Sequence, residues 1–363
     1  MKTRTIAFAA LATLLAPAAS LHAQELRVWG TNSSNQVSGA PDGNFRFGVS
    51  GATQIIAFRT DGTPVIWGGV GDPVGLPPAS VALENDRFRD AAMGRSNAIL
   101  IRRDRTLVAW NPNHILSQNV PVGKFRDVAC ANVHAVAINK DTGALHAWGA
   151  NGIGGVDLGL LNAPFGSFTA VAARVLYTVA VRKDGTLMGW GSPPFAMFAR
   201  WSQTPEDPLN YYIPDQKYTA VAAGNTHSLA IRSDGKVDGW GEASGGAIDA
   251  PTHVRFKAVA AGVGFSVGLA TDGMLWGWGT PGATPFPLPP GSWSFASVGW
   301  TRYGDTSWYY VPDQRFRTVA AGAFQIVAVT AGRDGNEDGD DDGDDDGDSH
   351  LRLLNPLTSG WRR

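Results

Sequence analysis

The sequence predicts an all-β chain: a seven-bladed β-propeller of four-stranded antiparallel blades, closed by an N-terminal strand that completes the C-terminal blade. Three observations predict it. One strand pattern recurs seven times at spacings of 37 to 60 residues. The composition, with 45 Gly and 22 Pro among 363 residues and 17% charged, suits short strands joined by turns rather than a helical bundle. The two ends of the chain each carry part of one repeat.

The elements follow in chain order. Residues 1–23 run from a basic start (Lys2, Arg4) through an apolar stretch to Ala23. This is the order of a secretory signal peptide, and the apolar run is too short to span a membrane. Cleavage after Ala23 would make the mature protein secreted or periplasmic. Residues 24–333 are the propeller. They carry 25 basic and 22 acidic groups, a balance that argues neither for nucleic acid nor for an anionic membrane as partner.

The repeats open at Phe45, Phe88, Phe125, Phe168, Tyr218, Phe256 and Phe316. A small-residue strand such as Thr219–Ala223 suits crowding around a central axis. An apolar strand such as Ser228–Ile231 follows. Asp-Gly turns at Asp61-Gly62, Asp184-Gly185, Asp234-Gly235 and Asp272-Gly273 call for positive φ. The third strand ends at Trp29, Trp67, Trp110, Trp148, Trp190, Trp240 and Trp278, seven of the 13 Trp. That regular placement assigns them to the packing between blades. The outer, edge-like strand is marked by a Pro four residues before the next opening aromatic (Pro121, Pro164, Pro214, Pro312). The last repeat, 316–332, has two strands, and Leu26-Arg27-Val28-Trp29-Gly30 is a third strand with nothing before it. Their union removes the open edges, and such a chain is expected to be a monomer.

The string Ala220-Val221-Ala222-Ala223-Gly224, then His227-Ser228-Leu229-Ala230-Ile231, Asp234-Gly235 and Trp240-Gly241 resembles the regulator of chromosome condensation repeat. The resemblance covers about residues 25–333. It implies a seven-bladed propeller, and with the leader it is closest in style to the secreted bacterial β-lactamase inhibitor protein II. Fold in this family predicts partner poorly.

Strand direction divides the molecule into a loop face, where third strands end, and a turn face, bearing the Asp-Gly turns. The position that follows the first-to-second strand turn reads Gln54, Asn97, His134, Tyr177, His227, Phe265 and Gln325. His134, Tyr177, His227 and Phe265 are either structural or a mixed rim on the loop face. Two aromatic insertions, 192–213 and 280–311, also start from that face. Trp201, Trp293, Trp300, Tyr303 and Trp308, with Arg200 and Arg302 adjoining, have the aromatic and Arg character of binding anchors. The alternative is that the insertions are structural lids.

Residues 334–348, with ten carboxylates among fifteen residues, form an acidic Asp/Gly tail, and 349–363 a short C-terminal segment. Asp338, Asp340, Asp342, Asp344 and Asp346 resemble the start of a calcium loop but lack the Glu at its twelfth place, so the tail is a solvated spacer or a weak calcium site. No other cofactor is expected. Catalytic motifs are missing, and Cys130 sits within a strand as a small core residue. The function expected is an exported binding module for a protein partner. A carbohydrate-binding propeller is the alternative, with a polysaccharide-acting enzyme or a guanine-nucleotide exchange factor behind both.

Overall fold

The computed structural model describes residues 24–69, 87–95, 97–111, 114–192, 202–203, 210–213, 216–242, 244–280 and 294–332. Seven sheets repeat one antiparallel order, in which each second strand pairs with the first on one side and the third on the other. In the Tyr218 blade, Tyr218–Ala223 pairs with His227–Arg232, which pairs with Val237–Gly241. Hydrophobic alternation decides this register: Leu229 and Ile231 turn to one neighbouring blade and Ala230 to the other, and all three are buried.

The first strands touch one another in sequence order. Phe316–Ala321 also touches Phe45–Ser50, which closes the ring. Their small residues line one central channel, with Ala92, Ala129, Ala172, Ala222, Ala260 and Ala320 at matching places. In every blade the register slips by one residue just after the opening aromatic. Such a bulge re-aims a side chain. In the Phe125 blade the freed residue, Arg126, donates from Nη2 to the carbonyl of Phe168 in the next blade.

The chain closes as the sequence predicts. Leu26–Gly30 pairs with Gln325–Thr330, from Leu26 opposite Val329 to Gly30 opposite Gln325. Trp29 then meets Phe316 edge-on at 5.9 Å between ring centroids.

The repeated Trp residues pack between blades, and four of them also donate across the junction. Nε1 of Trp67 reaches Gln36 O at 2.7 Å, Trp148 reaches Leu116 O at 3.0 Å, Trp190 reaches Leu160 O at 3.1 Å and Trp278 reaches Ala247 O at 2.9 Å. Each acceptor lies in the connection that leaves the preceding blade. Such a bond offsets the cost of burying an indole N–H.

The four-stranded expectation is corrected. Among the described residues, five of the seven sheets have three strands, and the Phe168 and Phe256 blades have five. The reason is connection length. The short connections form turns and 3-10 segments such as Ile115–Ser117 and Ser244–Gly246. Among the described residues, the two long insertions return as outer strands, Asn210–Ile213 with Ser202–Gln203, and Tyr309–Tyr310 with Thr301–Arg302.

The Asp-Gly turns hold as expected, with φ of 86° at Gly62, 87° at Gly185, 82° at Gly235 and 86° at Gly273. The Asp carboxylate closes the turn. Asp61 accepts from Thr63 N at 2.8 Å and from Thr63 Oγ1 at 2.6 Å, and Asp184 does the same with Thr186.

Candidate functional site

The residues at the first inter-strand turn do not form a rim. His134, Tyr177, His227 and Phe265 are all fully buried. His134 Nε2 meets Thr178 Oγ1 at 2.9 Å, and His227 Nε2 meets Ser266 Oγ at 2.9 Å, each in the following blade. The Tyr177 hydroxyl lies 2.8 Å from Gly224 O and 2.9 Å from His227 O, and accepts from Ser228 Oγ at 3.2 Å. Phe265 packs on Phe295 from its own blade's insertion. Asn97 accepts from Cys130 Sγ at 2.9 Å and donates to Asn132 O at 3.3 Å. These residues tie blade to blade, and the reading as a polar and aromatic rim is corrected. Desolvation holds both histidines neutral, with pKa values lowered to about 4. Burial likewise pushes the Cys130 thiol up to about 12, which removes it as a nucleophile at neutral pH.

The channel wall is mostly Ala and Val, with Asp90, Asp127 and Arg174 as its charged members. Arg174 donates from Nε to Asn225 Oδ1 at 3.0 Å. The wall brings no nucleophile together with a base. Among the described residues no group of three or more His, Cys, Asp or Glu could hold a metal ion.

The insertion of the Phe256 blade divides its aromatics into two sets. Phe295 and Trp300 turn inward and are buried, at 1% and 4% exposure. Trp300 lies 5.5 Å from Trp29 and 5.0 Å from Phe295, in the cluster that seals the junction with the Phe316 blade. Trp300 is therefore core, and its reading as a surface anchor is corrected.

Tyr303 and Trp308 turn the other way. They flank the tip of the hairpin formed by Thr301–Arg302 and Tyr309–Tyr310, the outermost strands of this sheet. They lie on the blade's outer edge, where the register carries the hairpin tip past Gly277 towards the end at which the third strand finishes.

At this edge they meet two residues that the sequence reading did not select. Tyr303 stacks on His253 at 5.0 Å with an interplanar angle of 23° and stands edge-on to Trp276 at 5.3 Å. His253 also lies 5.4 Å from Trp308. Trp276 is buried, Trp308 is half-buried, and Tyr303 and His253 are exposed. Trp308 is fixed by its Nε1, which donates to Asp249 O at 2.9 Å. Two exposed rings thus rest on a fixed aromatic base. Arg302 is exposed beside them, and its Nε donates to Thr306 O at 2.6 Å within the same hairpin. One signal for Trp276 was available: it alternates with the repeat Trp278 in a strand whose other face is buried. His253 carried no signal, because only folding brings its connection beside residue 303.

Trp201, Trp293 and Arg200 lie outside the described residues, as do Asp338, Asp340, Asp342, Asp344 and Asp346.

A family profile described as the regulator of chromosome condensation repeat matches residues 218–246 and 256–282. The chain carries that repeat. By structure it is similar to Prp20p of Saccharomyces cerevisiae, at 17% identity and a TM-score of 0.65 over 86% of this chain and 92% of that one. It is similar to human WBSCR16 at 16% identity and a TM-score of 0.64, over 86% and 100%. A chain from the complex of Kap60 with yeast RCC1 (Prp20) gives 18% identity and a TM-score of 0.60 over 91% and 97%. At these identities the likeness shows the fold. No curated protein matches by sequence.

Proposed function

We propose that this propeller, built on the regulator of chromosome condensation repeat, is a protein-binding module whose contact surface is the outer edge of the Phe256 blade. One observation carries the reading: Tyr303 is exposed at 43%, yet it is held against His253, Trp276 and Trp308. Large rings already fixed in place lose little freedom on binding, which is what anchors at an interface require. Related folds lend general support. Prp20p is described by its binding to Gsp1p and histones, and yeast RCC1 was solved bound to Kap60.

The order of residues 1–23 supports export, so the partner is sought among secreted or envelope proteins. The chain acts without catalysis in this reading. A carbohydrate ligand is the second reading, favoured by the flat, exposed pair Tyr303 and His253. The test compares native protein with Tyr303→Ala in affinity capture from an envelope extract and on a glycan array. A captured protein lost from the variant supports the first reading. Glycan binding lost from the variant supports the second, and unchanged binding in both removes the edge as the site.

A further inference from the structure

The turn face carries a ring of cations that the proposed contact surface does not use. In five blades the residue just before the opening aromatic is Arg or Lys. Arg87, Lys217, Arg255 and Arg315 lie against the turn glycines Gly62, Gly185, Gly235 and Gly273 of the preceding blades. Lys124 Nζ reaches Asp104 Oδ2 at 3.2 Å. All five are exposed or half-exposed. Each turn supplies one Asp, and a second cation often faces it from its own blade. Asp61 feels Arg87 and Arg59, Asp184 feels Lys217 and Arg182, and Asp234 feels Arg232 and Arg255. Cations therefore outnumber carboxylates around these turns.

The chain leaves its last strand at this same face. Thr330 pairs with Phe316, and Ala331 N donates to Arg315 O at 2.8 Å. Three residues later comes 334–348, with ten carboxylates and Gly at every fourth place. Fifteen residues reach up to about 50 Å when extended.

We propose that the acidic segment 334–348 docks in cis across this cation ring and shields it from other acidic chains. The segment is tethered beside Arg315, so its effective concentration is of millimolar order and weak single contacts suffice. The pairs are surface pairs, so salt weakens them. The proposal stands apart from the Tyr303 edge.

The test uses a synthetic peptide of residues 334–348 and two full-length proteins. One is native; in the other the ten tail carboxylates are changed to their amides. Fluorescence anisotropy at low salt is expected to show the peptide binding the amide variant at least tenfold more tightly than the native chain. Binding should fall at least fivefold when Lys217→Glu and Arg255→Glu are added, with circular dichroism and melting unchanged. Equal affinity for both proteins would mean that the ring is open to acidic chains in trans, and docking in cis would be overturned. Absence of binding to the amide variant, or indifference to the two charge reversals, would overturn it as well.

Discussion

Gln325 Nε2 donates to the carbonyl oxygen of Ala52 at 3.2 Å and so joins the blade that ends the chain to the first complete one. The same register position carries His134 to Thr178, Tyr177 to Gly224 and His227 to Ser266. Together with Leu26–Gly30 on the last blade, these bonds form a belt around the channel. The belt fixes the ring and leaves the outer edges to vary.

Breaking the belt should destabilise the fold. His227→Ala deletes the bond to Ser266 and leaves a cavity in a fully buried site. The expected loss is about 2 kcal/mol or more. For a chain of this size that lowers the melting temperature by roughly 3 °C or more. Differential scanning calorimetry checks it.

The same histidines set a pH dependence. Their folded pKa values of about 4 lie below the ordinary histidine value of 6.5. Between those values the unfolded chain binds protons that the folded chain does not. Stability is therefore full above pH 6.5 and falls as the pH drops towards 4, by at most about 1.4 kcal/mol per unit for each histidine. Urea titrations from pH 7 to 4.5 should show this slope, and His134→Gln with His227→Gln should flatten it.

Cys130 is the chain's single thiol. It is 3% exposed and faces Asn97. A thiol reagent at pH 8 should leave the native protein unlabelled and react fully in denaturant. Rapid labelling of the native state would contradict the packing of the Phe88 and Phe125 blades.

The two sets of aromatics in the Phe256 insertion should respond oppositely. Trp300→Ala empties a core site and should lose about 3 to 5 kcal/mol. Tyr303→Ala removes an exposed ring and should change stability by under about 1 kcal/mol. Paired denaturation curves test this contrast.

The repeat, the turn chemistry and the terminal closure were legible in the sequence because each is local or periodic. Asp-Gly marks its own turn, and an unpaired strand at 26–30 calls for a partner at 325–330. The sides taken by the insertion aromatics were not legible. Trp300 and Tyr303 are three residues apart, and their separation depends on Tyr309–Tyr310 pairing with Trp276–Gly277. Neither that register nor the arrival of His253 beside Tyr303 is encoded within one segment. The ring position was visible as a repeat, but its burial follows from how closely neighbouring blades approach.

In the proposed function, partners bind at the Tyr303 edge. Site-specific photo-crosslinking on the full-length protein tests it most directly, with the photoreactive residue placed at Tyr303 or at Phe165. Phe165 is 96% exposed and belongs to the connection before the Phe168 blade. Irradiation in an envelope extract is predicted to give a discrete protein adduct from position 303 and none from position 165. An adduct from 165 with none from 303 would contradict the claim.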